Sequence, residues 1–203
     1  NASWYCLHLL LIKLHLLEVR KIVITGGPST GKTALIEYLE KNGHTCYHEI
    51  IRTMTLEAKK EIDPKSLGSN PLAFVKDPRR FNQKLLEGRT QQFLDAQRNG
   101  NTPIFFDRGI PDVLAYMDFF KQPYPPAYEK TCITYKYDRV IILPPWREIF
   151  TSDGERMESY EEAVVLYDHL RETYTRLGYD LVSLPKGSLE ERMNHIYMII
   201  KEL

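Results

Sequence analysis

Eight consecutive residues have the types and the spacing that bind the phosphates of a nucleotide. They match the pattern GxxxxGK[ST] and are Gly26, Gly27, Pro28, Ser29, Thr30, Gly31, Lys32 and Thr33. Glycines let the backbone N–H groups of such a loop turn toward phosphates, and the following helix presents its positive end. Lys32 is expected to reach the β- and γ-phosphates, and the Thr33 hydroxyl to bind Mg²⁺. The alternative is a plain glycine turn, but a strand before the loop and a helix after it favour phosphate binding.

Asp107 stands where a magnesium-binding carboxylate is expected. It ends the apolar run Ile104, Phe105, Phe106, which is typical of a buried strand. A carboxylate at the end of such a strand holds Mg²⁺ through water in phosphate-loop proteins. The alternative is an Asp that caps the helix after Pro111 or pairs with Arg108.

Glu49 and Arg52 follow the second predicted strand. At that position Glu49 is expected to face the ligand crevice as a general base toward an acceptor hydroxyl, with Arg52 one helical turn later as a clamp for an anionic group. A surface salt bridge between residues three apart on a helix is an equally good interpretation.

Arg147 and Arg156 flank a polar loop between the fourth predicted strand and a long helix. In P-loop kinases a loop in this place is a lid, and its arginines neutralise the phosphoryl group during transfer. The alternative is two solvated arginines. The thirteen tyrosines are assigned no role, since most tyrosines are half-buried packing residues.

Strands and helices alternate along the sequence in the way that positions these residues. Short β-branched or apolar runs predict strands over residues 21–25, 45–48, 103–106, 139–143 and 180–184, and periodic patterns predict helices over residues 32–41, 79–98, 111–120, 160–177 and 189–202. Residues 63–71 and 121–126 fit neither pattern. The alternation predicts an α/β fold with a mainly parallel sheet, helices on both faces and ligands at the carboxyl ends of the strands.

Length and charge narrow the class of protein. The 203 residues suit one domain, and 27 basic residues balance 27 acidic ones. A balanced charge gives no overall field that would draw nucleic acid or an anionic membrane. Three scattered cysteines support neither a disulfide framework nor a zinc site, so we expect a cytoplasmic protein.

Residues 1–18 are interpreted separately from the domain at 19–203. The apolar stretch 7–17 is too short to cross a bilayer, which needs about 20 apolar residues, and lacks the form of a signal peptide. We expect a tag remnant, a misplaced start or an N-terminal extension. An amphipathic helix against a membrane or a partner is the remaining alternative.

The motifs together resemble those of the AAA_28 family of small P-loop proteins, which looks related to nicotinamide riboside kinase domains and to nucleoside and nucleotide kinases. The resemblance lies in residues 26–33, 48–52, 105–112 and 144–147 with 154–156. It implies an ATP-binding, three-layer P-loop fold with a five-stranded sheet in the order 2-3-1-4-5 and a lid near residues 146–157. It also implies a nucleotide-contacting role for Arg108. The Asp107-Arg108-Gly109 sequence departs from the Asp-Thr-Asp of riboside kinases, which argues against a pyridine nucleoside acceptor.

Two functions follow from these observations. The first is an ATP- and Mg²⁺-dependent phosphotransferase that acts on a hydroxyl of a nucleoside-like small molecule. The second is a nucleotide-dependent switch, with ATP or GTP, that contacts a protein or lipid partner. The acceptor-side pair Glu49 and Arg52 and the arginines 147 and 156 favour the enzyme, because a switch needs no acceptor-side carboxylate. The lack of an Asn-Lys-x-Asp motif favours ATP over GTP.

Overall fold

Five parallel strands form a single sheet in the order β2-β3-β1-β4-β5. The structure is a computed structural model that describes residues 20–51, 77–96, 103–150 and 159–201. The strands are β1 (Lys21–Gly26), β2 (Thr45–Tyr47), β3 (Ile104–Asp107), β4 (Arg139–Leu143) and β5 (Leu181–Ser183). The predicted sheet and its strand order are confirmed, with strand ends displaced by no more than a residue or so.

Helices cover both faces of this sheet. The described helices are α1 (Lys32–Lys41), α2 (Pro78–Asp95), α3 (Pro111–Phe119), α4 (Pro126–Thr134), α5 (Tyr160–Arg176) and α6 (Leu189–Lys201). Successive side chains of a strand point to opposite faces. Val23 therefore packs into a core with α2, α3 and α5, whereas Ile22 and Ile24 pack into a second core with α1 and α6. These two cores confirm the three-layer sandwich.

Capping hydrogen bonds explain where two of the helices begin. Asp77 accepts hydrogen bonds from the backbone N–H groups of Arg79 and Arg80, which starts α2. Ser159 and Glu162 form a reciprocal capping box at the start of α5. No helix within the described ranges is long and apolar enough to cross a membrane.

Two elements differ from the sequence predictions. Helix α4 was not predicted, because Cys132 is its only buried residue and the helix therefore has no apolar stripe to recognise. A short 3₁₀ helix, Arg147–Ile149, was also missed within the polar loop after β4. The irregular stretch predicted at 63–71 and the N-terminal residues 1–18 lie outside the described residues.

Candidate active site

The predicted phosphate loop joins the central strand β1 to α1. Gly31 is the N-cap of α1 and has a left-handed backbone with φ of 78°. The backbone angle therefore favours glycine, and a Cβ at Gly31 would also lie 2.7 Å from Nη1 of Arg192, which would have to shift. Gly31 has no side chain to cap the helix. The helix N-terminus therefore suits an anionic ligand.

Three hydrogen bonds hold the loop in place. Thr30 Oγ1 donates to the carbonyl oxygen of Gly27 at 3.1 Å, which is a local contact. Arg108 Nη1, from the turn after β3, donates to the carbonyl oxygen of Gly26 at 3.2 Å. Arg192 Nη2, from the first turn of α6, donates to the carbonyl oxygen of Thr30 at 3.0 Å. The loop is therefore fixed by side chains from two distant parts of the chain.

Lys32 and Asp107 face each other at the floor of the site. Lys32 Nζ lies 3.4 Å from Oδ1 of Asp107, and the two side chains are 12% and 8% exposed. Burial lowers the pKa of Lys32, and the positive charge of Arg108 acts in the same direction, while Asp107 and Glu49 oppose it. A buried lysine with nearby positive charge is suited to anionic phosphates, which would stabilise its charged form.

The residues at this floor fit a magnesium ion. Oδ1 of Asp107 is buried and makes no hydrogen bond of good geometry with a described residue, although the Lys32 ammonium is near it. The described ranges contain no group of three or more His, Cys, Asp or Glu side chains placed to hold a metal ion. Mg²⁺ is commonly held by one or two protein oxygens together with substrate phosphates. Asp107 and Thr33 are therefore candidates to hold it beside a nucleotide.

Glu49 lies between the guanidinium groups of Arg89 and Arg108. Its Oε1 accepts a hydrogen bond from Arg89 Nη2 at 2.8 Å, and its Oε2 pairs with Arg108 Nε. The side chains of all three residues are at most 11% exposed. Burial alone would raise the pKa of Glu49, but Arg89 and Arg108 outweigh it and hold that pKa below its ordinary value. Glu49 is therefore ionised at neutral pH.

A fully buried carboxylate fixes the turn that carries Asp107 and Arg108. Asp112 accepts hydrogen bonds from Thr25 Oγ1 and Tyr174 Oη, each at 2.5 Å, and from the N–H of Gly109 at 2.9 Å. It also accepts from Arg108 Nη1 at 3.3 Å. Arg108 has φ of 73°, which is unusual for a residue with a side chain. A fully bonded buried network of this kind holds such a backbone in one conformation.

The loop, Asp107, Glu49 and Arg108 line one cleft of about 450 Å³. Ile51, Tyr116 and Ile149 complete its described walls. The guanidinium of Arg108 lies 5.0 Å from the centre of the Tyr116 ring. The structure therefore brings most of the predicted site residues together.

Arg147 is not brought to the cleft. The side chain of Arg147 is 71% exposed, and its Nη1 lies 3.6 Å from Oε1 of Glu161. Its guanidinium lies 4.8 Å from the centre of the Tyr160 ring. Arg52 and Arg156, and most of the predicted lid, lie outside the described residues. Their roles stay predictions.

Two arginines of the site were missed by sequence reasoning. Arg89 lies in the middle of α2, and besides binding Glu49 it donates to the carbonyl oxygen of Gly109 at 3.1 Å. Arg192 lies in α6, far along the chain from the loop it contacts. Neither belongs to a motif, so only the packing of their helices against the sheet reveals them.

The sheet order, the loop and the cleft define a P-loop protein of the α/β class. A sequence model of an AAA domain, AAA_28, matches residues 21–192. The match covers most of the chain, and the protein belongs to this family. No curated protein matches the sequence.

Solved structures with the same fold include NadR, a deoxyadenosine kinase and a thymidylate kinase. NadR in complex with NAD and AMP-PNP aligns with a TM-score of 0.62 at 18% identity, over 90% of this chain and 49% of the NadR chain. Deoxyadenosine kinase from M. mycoides aligns with a TM-score of 0.62 at 17% identity, over 90% of this chain and 100% of that one. Thymidylate kinase from Candida albicans gives 0.56 at 12% identity, over 92% of each chain. The chain thus spans about half of NadR, and at these identities the likeness establishes the fold.

Proposed function

We propose that this protein binds ATP with Mg²⁺ and transfers the γ-phosphoryl group to a hydroxyl of a small, nucleoside-like acceptor. The observation that carries the proposal is the arrangement of Arg108, which bonds to the phosphate loop at Gly26 and to the carboxylate of Glu49. A donor side with Lys32 and Asp107 and an acceptor side with Glu49 thus share one cleft.

The donor side holds the triphosphate. The loop N–H groups and Lys32 would bind its phosphates. Thr33 and Asp107 would hold the metal ion, which would supply charge neutralisation for the triphosphate. Arg108 holds the loop through the carbonyl oxygen of Gly26 and so links the donor side to Glu49. Arg147 and Arg156 would add more charge if the lid closes, as the sequence predicts.

Glu49 orients the acceptor hydroxyl on this proposal. Its lowered pKa makes it a weak base but keeps it ionised, so that it accepts a hydrogen bond from the hydroxyl. Enzymatic phosphoryl transfer relies mainly on positioning and charge stabilisation. A carboxylate that aims the attacking oxygen therefore suffices without a raised pKa.

The cleft and the fold support an acceptor of modest size. A volume of about 450 Å³ lies within the range of small-molecule pockets, and the Tyr116 ring and Ile51 provide apolar wall. The similar folds include deoxyadenosine and thymidylate kinases. These similarities support a nucleoside-like acceptor for this chain.

Acceptor-dependent ADP release tests the proposal. Mg²⁺ and ATP are supplied with a panel of nucleosides, nucleoside monophosphates and other hydroxylated metabolites, and GTP is compared with ATP as donor. We expect ADP release to rise with at least one acceptor, to disappear in Lys32→Ala, and to fall in Glu49→Gln without loss of ATP binding. Tight ATP binding with no acceptor effect across the panel would contradict a kinase and support the nucleotide switch.

A further inference from the structure

Arg192 is a buried cation in the first turn of α6. The residue is 4% exposed, and none of the described carboxylates lies within salt-bridge distance of its guanidinium. Its Nε is buried and makes no hydrogen bond within the described ranges. Arginines that are this buried are normally paired with a carboxylate or another anion.

The guanidinium of Arg192 lies directly against the phosphate loop. Nη2 donates to the carbonyl oxygen of Thr30, and Nη1 occupies the space that a Cβ at Gly31 would need. On another side the guanidinium lies 5.6 Å from the centre of the Trp146 ring. An aromatic ring stabilises a cation only modestly. Burial lowers the pKa of Arg192.

Other buried arginines of the site differ from Arg192 in this respect. Arg89 pairs with Glu49, and Arg108 pairs with Glu49 and Asp112. Their positive charges are therefore largely balanced within the protein. No carboxylate in the described part of the chain pairs with Arg192, which lies behind the loop that is proposed to hold a triphosphate.

We propose that Arg192 completes the nucleotide site as a charge held behind the loop, with the phosphates of the bound nucleotide as its counter-ion. This inference rests on the proposed function of the cleft. Because the guanidinium is buried behind the loop, it acts on the phosphates through space and through the Thr30 carbonyl. A buried charge is weakly screened, so its attraction to a triphosphate is larger than that of a surface arginine.

The charge role predicts a graded effect of neutralising Arg192. Arg192→Gln keeps a donor for the Thr30 carbonyl oxygen but removes the charge. We expect it to weaken ATP binding about tenfold, ADP binding less, and AMP binding little, because the attraction grows with the phosphate charge. Arg192→Lys keeps the charge and should stay within about threefold of the unmodified protein for ATP near neutral pH.

A structural role alone predicts a different pattern. If Arg192 only holds the loop in place through its hydrogen bond to Thr30, each variant should weaken the binding of ATP, ADP and AMP by the same factor. Lys201→Gln is the matched control, because it removes one positive charge from the exposed end of the same helix. It should leave all three affinities unchanged within about twofold.

Calorimetric titration of the three nucleotides with Mg²⁺ decides between the patterns. An equal loss of affinity for all three nucleotides, or no loss in Arg192→Gln, overturns the charge role of Arg192. The proposed function would still be supported if the unmodified protein binds ATP and Lys32→Ala does not. Failure of the unmodified protein to bind ATP overturns both proposals.

Arg192→Lys provides the test if Arg192→Gln does not fold. Burial should lower the pKa of the new lysine. Its ATP affinity should then fall relative to that of the unmodified protein as pH rises from about 7 to about 9, because lysine loses its charge and arginine does not. Equal weakening of ATP, ADP and AMP binding in Arg192→Lys near neutral pH would overturn the inference.

Discussion

The two sides of the cleft are built in different ways. The phosphate side comes from eight consecutive residues between β1 and α1, whereas the acceptor side joins Glu49 after β2, Arg89 in α2 and Arg108 after β3. The first depends mainly on the backbone of one short turn, which Arg108 and Arg192 hold by hydrogen bonds to its carbonyl oxygens. The second depends on buried charges that neutralise one another, because removing one of them leaves another buried without a partner. We therefore expect substitutions on the phosphate side to affect ligand binding, and those on the acceptor side to affect folding as well.

Glu49→Ala should have the largest effect on stability. It leaves Arg89 buried without a carboxylate, and breaking a buried ion pair from one side costs about 3–5 kcal/mol. Urea denaturation measures the loss in the free energy of unfolding. Glu87→Ala, an exposed carboxylate on α2, is the control and should change it by no more than about 0.5 kcal/mol. Equal losses in the two variants would contradict the distinction between the two sides.

Lys32→Ala should weaken binding of ATP with Mg²⁺ about a hundredfold, or about 2.7 kcal/mol, because it removes a charged donor to the phosphates. Its free energy of unfolding should change by less than about 1 kcal/mol, since burial already disfavours the charged lysine. Calorimetric titration and urea denaturation measure the two effects. Lys41→Ala, at the exposed end of α1, is the control. ATP binding that persists unchanged would refute the assignment of the loop.

Asp107→Asn should raise the Mg²⁺ concentration needed for half-maximal ATP binding about tenfold, because a neutral amide is a poorer partner for the metal and its waters. Binding of ATP without Mg²⁺ should not weaken. A magnesium titration at fixed ATP makes the measurement, with Asp180→Asn on the exposed surface as control. An unchanged magnesium requirement would assign Asp107 to the ion pair with Lys32 alone.

The acid dependence of stability gives a smaller but specific test of the acceptor side. The pKa of Glu49 in the folded protein lies below its ordinary value of 4.5. Its contribution to stability should therefore be complete above that value and be lost as pH falls through the lower, folded pKa. The difference in unfolding free energy between the unmodified protein and Glu49→Gln should stay constant from about pH 7 to about 5.5 and shrink below about 4.5. A difference that shrinks already near neutral pH would contradict the two-arginine clamp.

Much of the fold could be predicted because its signals are local. The buried strands are short apolar runs, as in Ile104–Asp107, and α5 begins at a capping box. Helix α4 could not be predicted, since it is amphipathic only weakly and buries a single residue. The strand order is predicted by the family resemblance, because the pattern of a single strand does not show which strands lie beside it.

The phosphate-loop motif can be recognised from the sequence, because its glycines, lysine and hydroxyl stand at fixed positions along a few residues. The sequence also indicates that Glu49, Asp107 and Arg108 stand at strand ends, which parallel pairing brings to one edge of the sheet. The partners of these side chains depend on the fold. Whether Glu49 meets Arg89, or Arg192 reaches Thr30, depends on how helices from distant parts of the chain pack on the sheet, and no spacing in the sequence encodes such contacts.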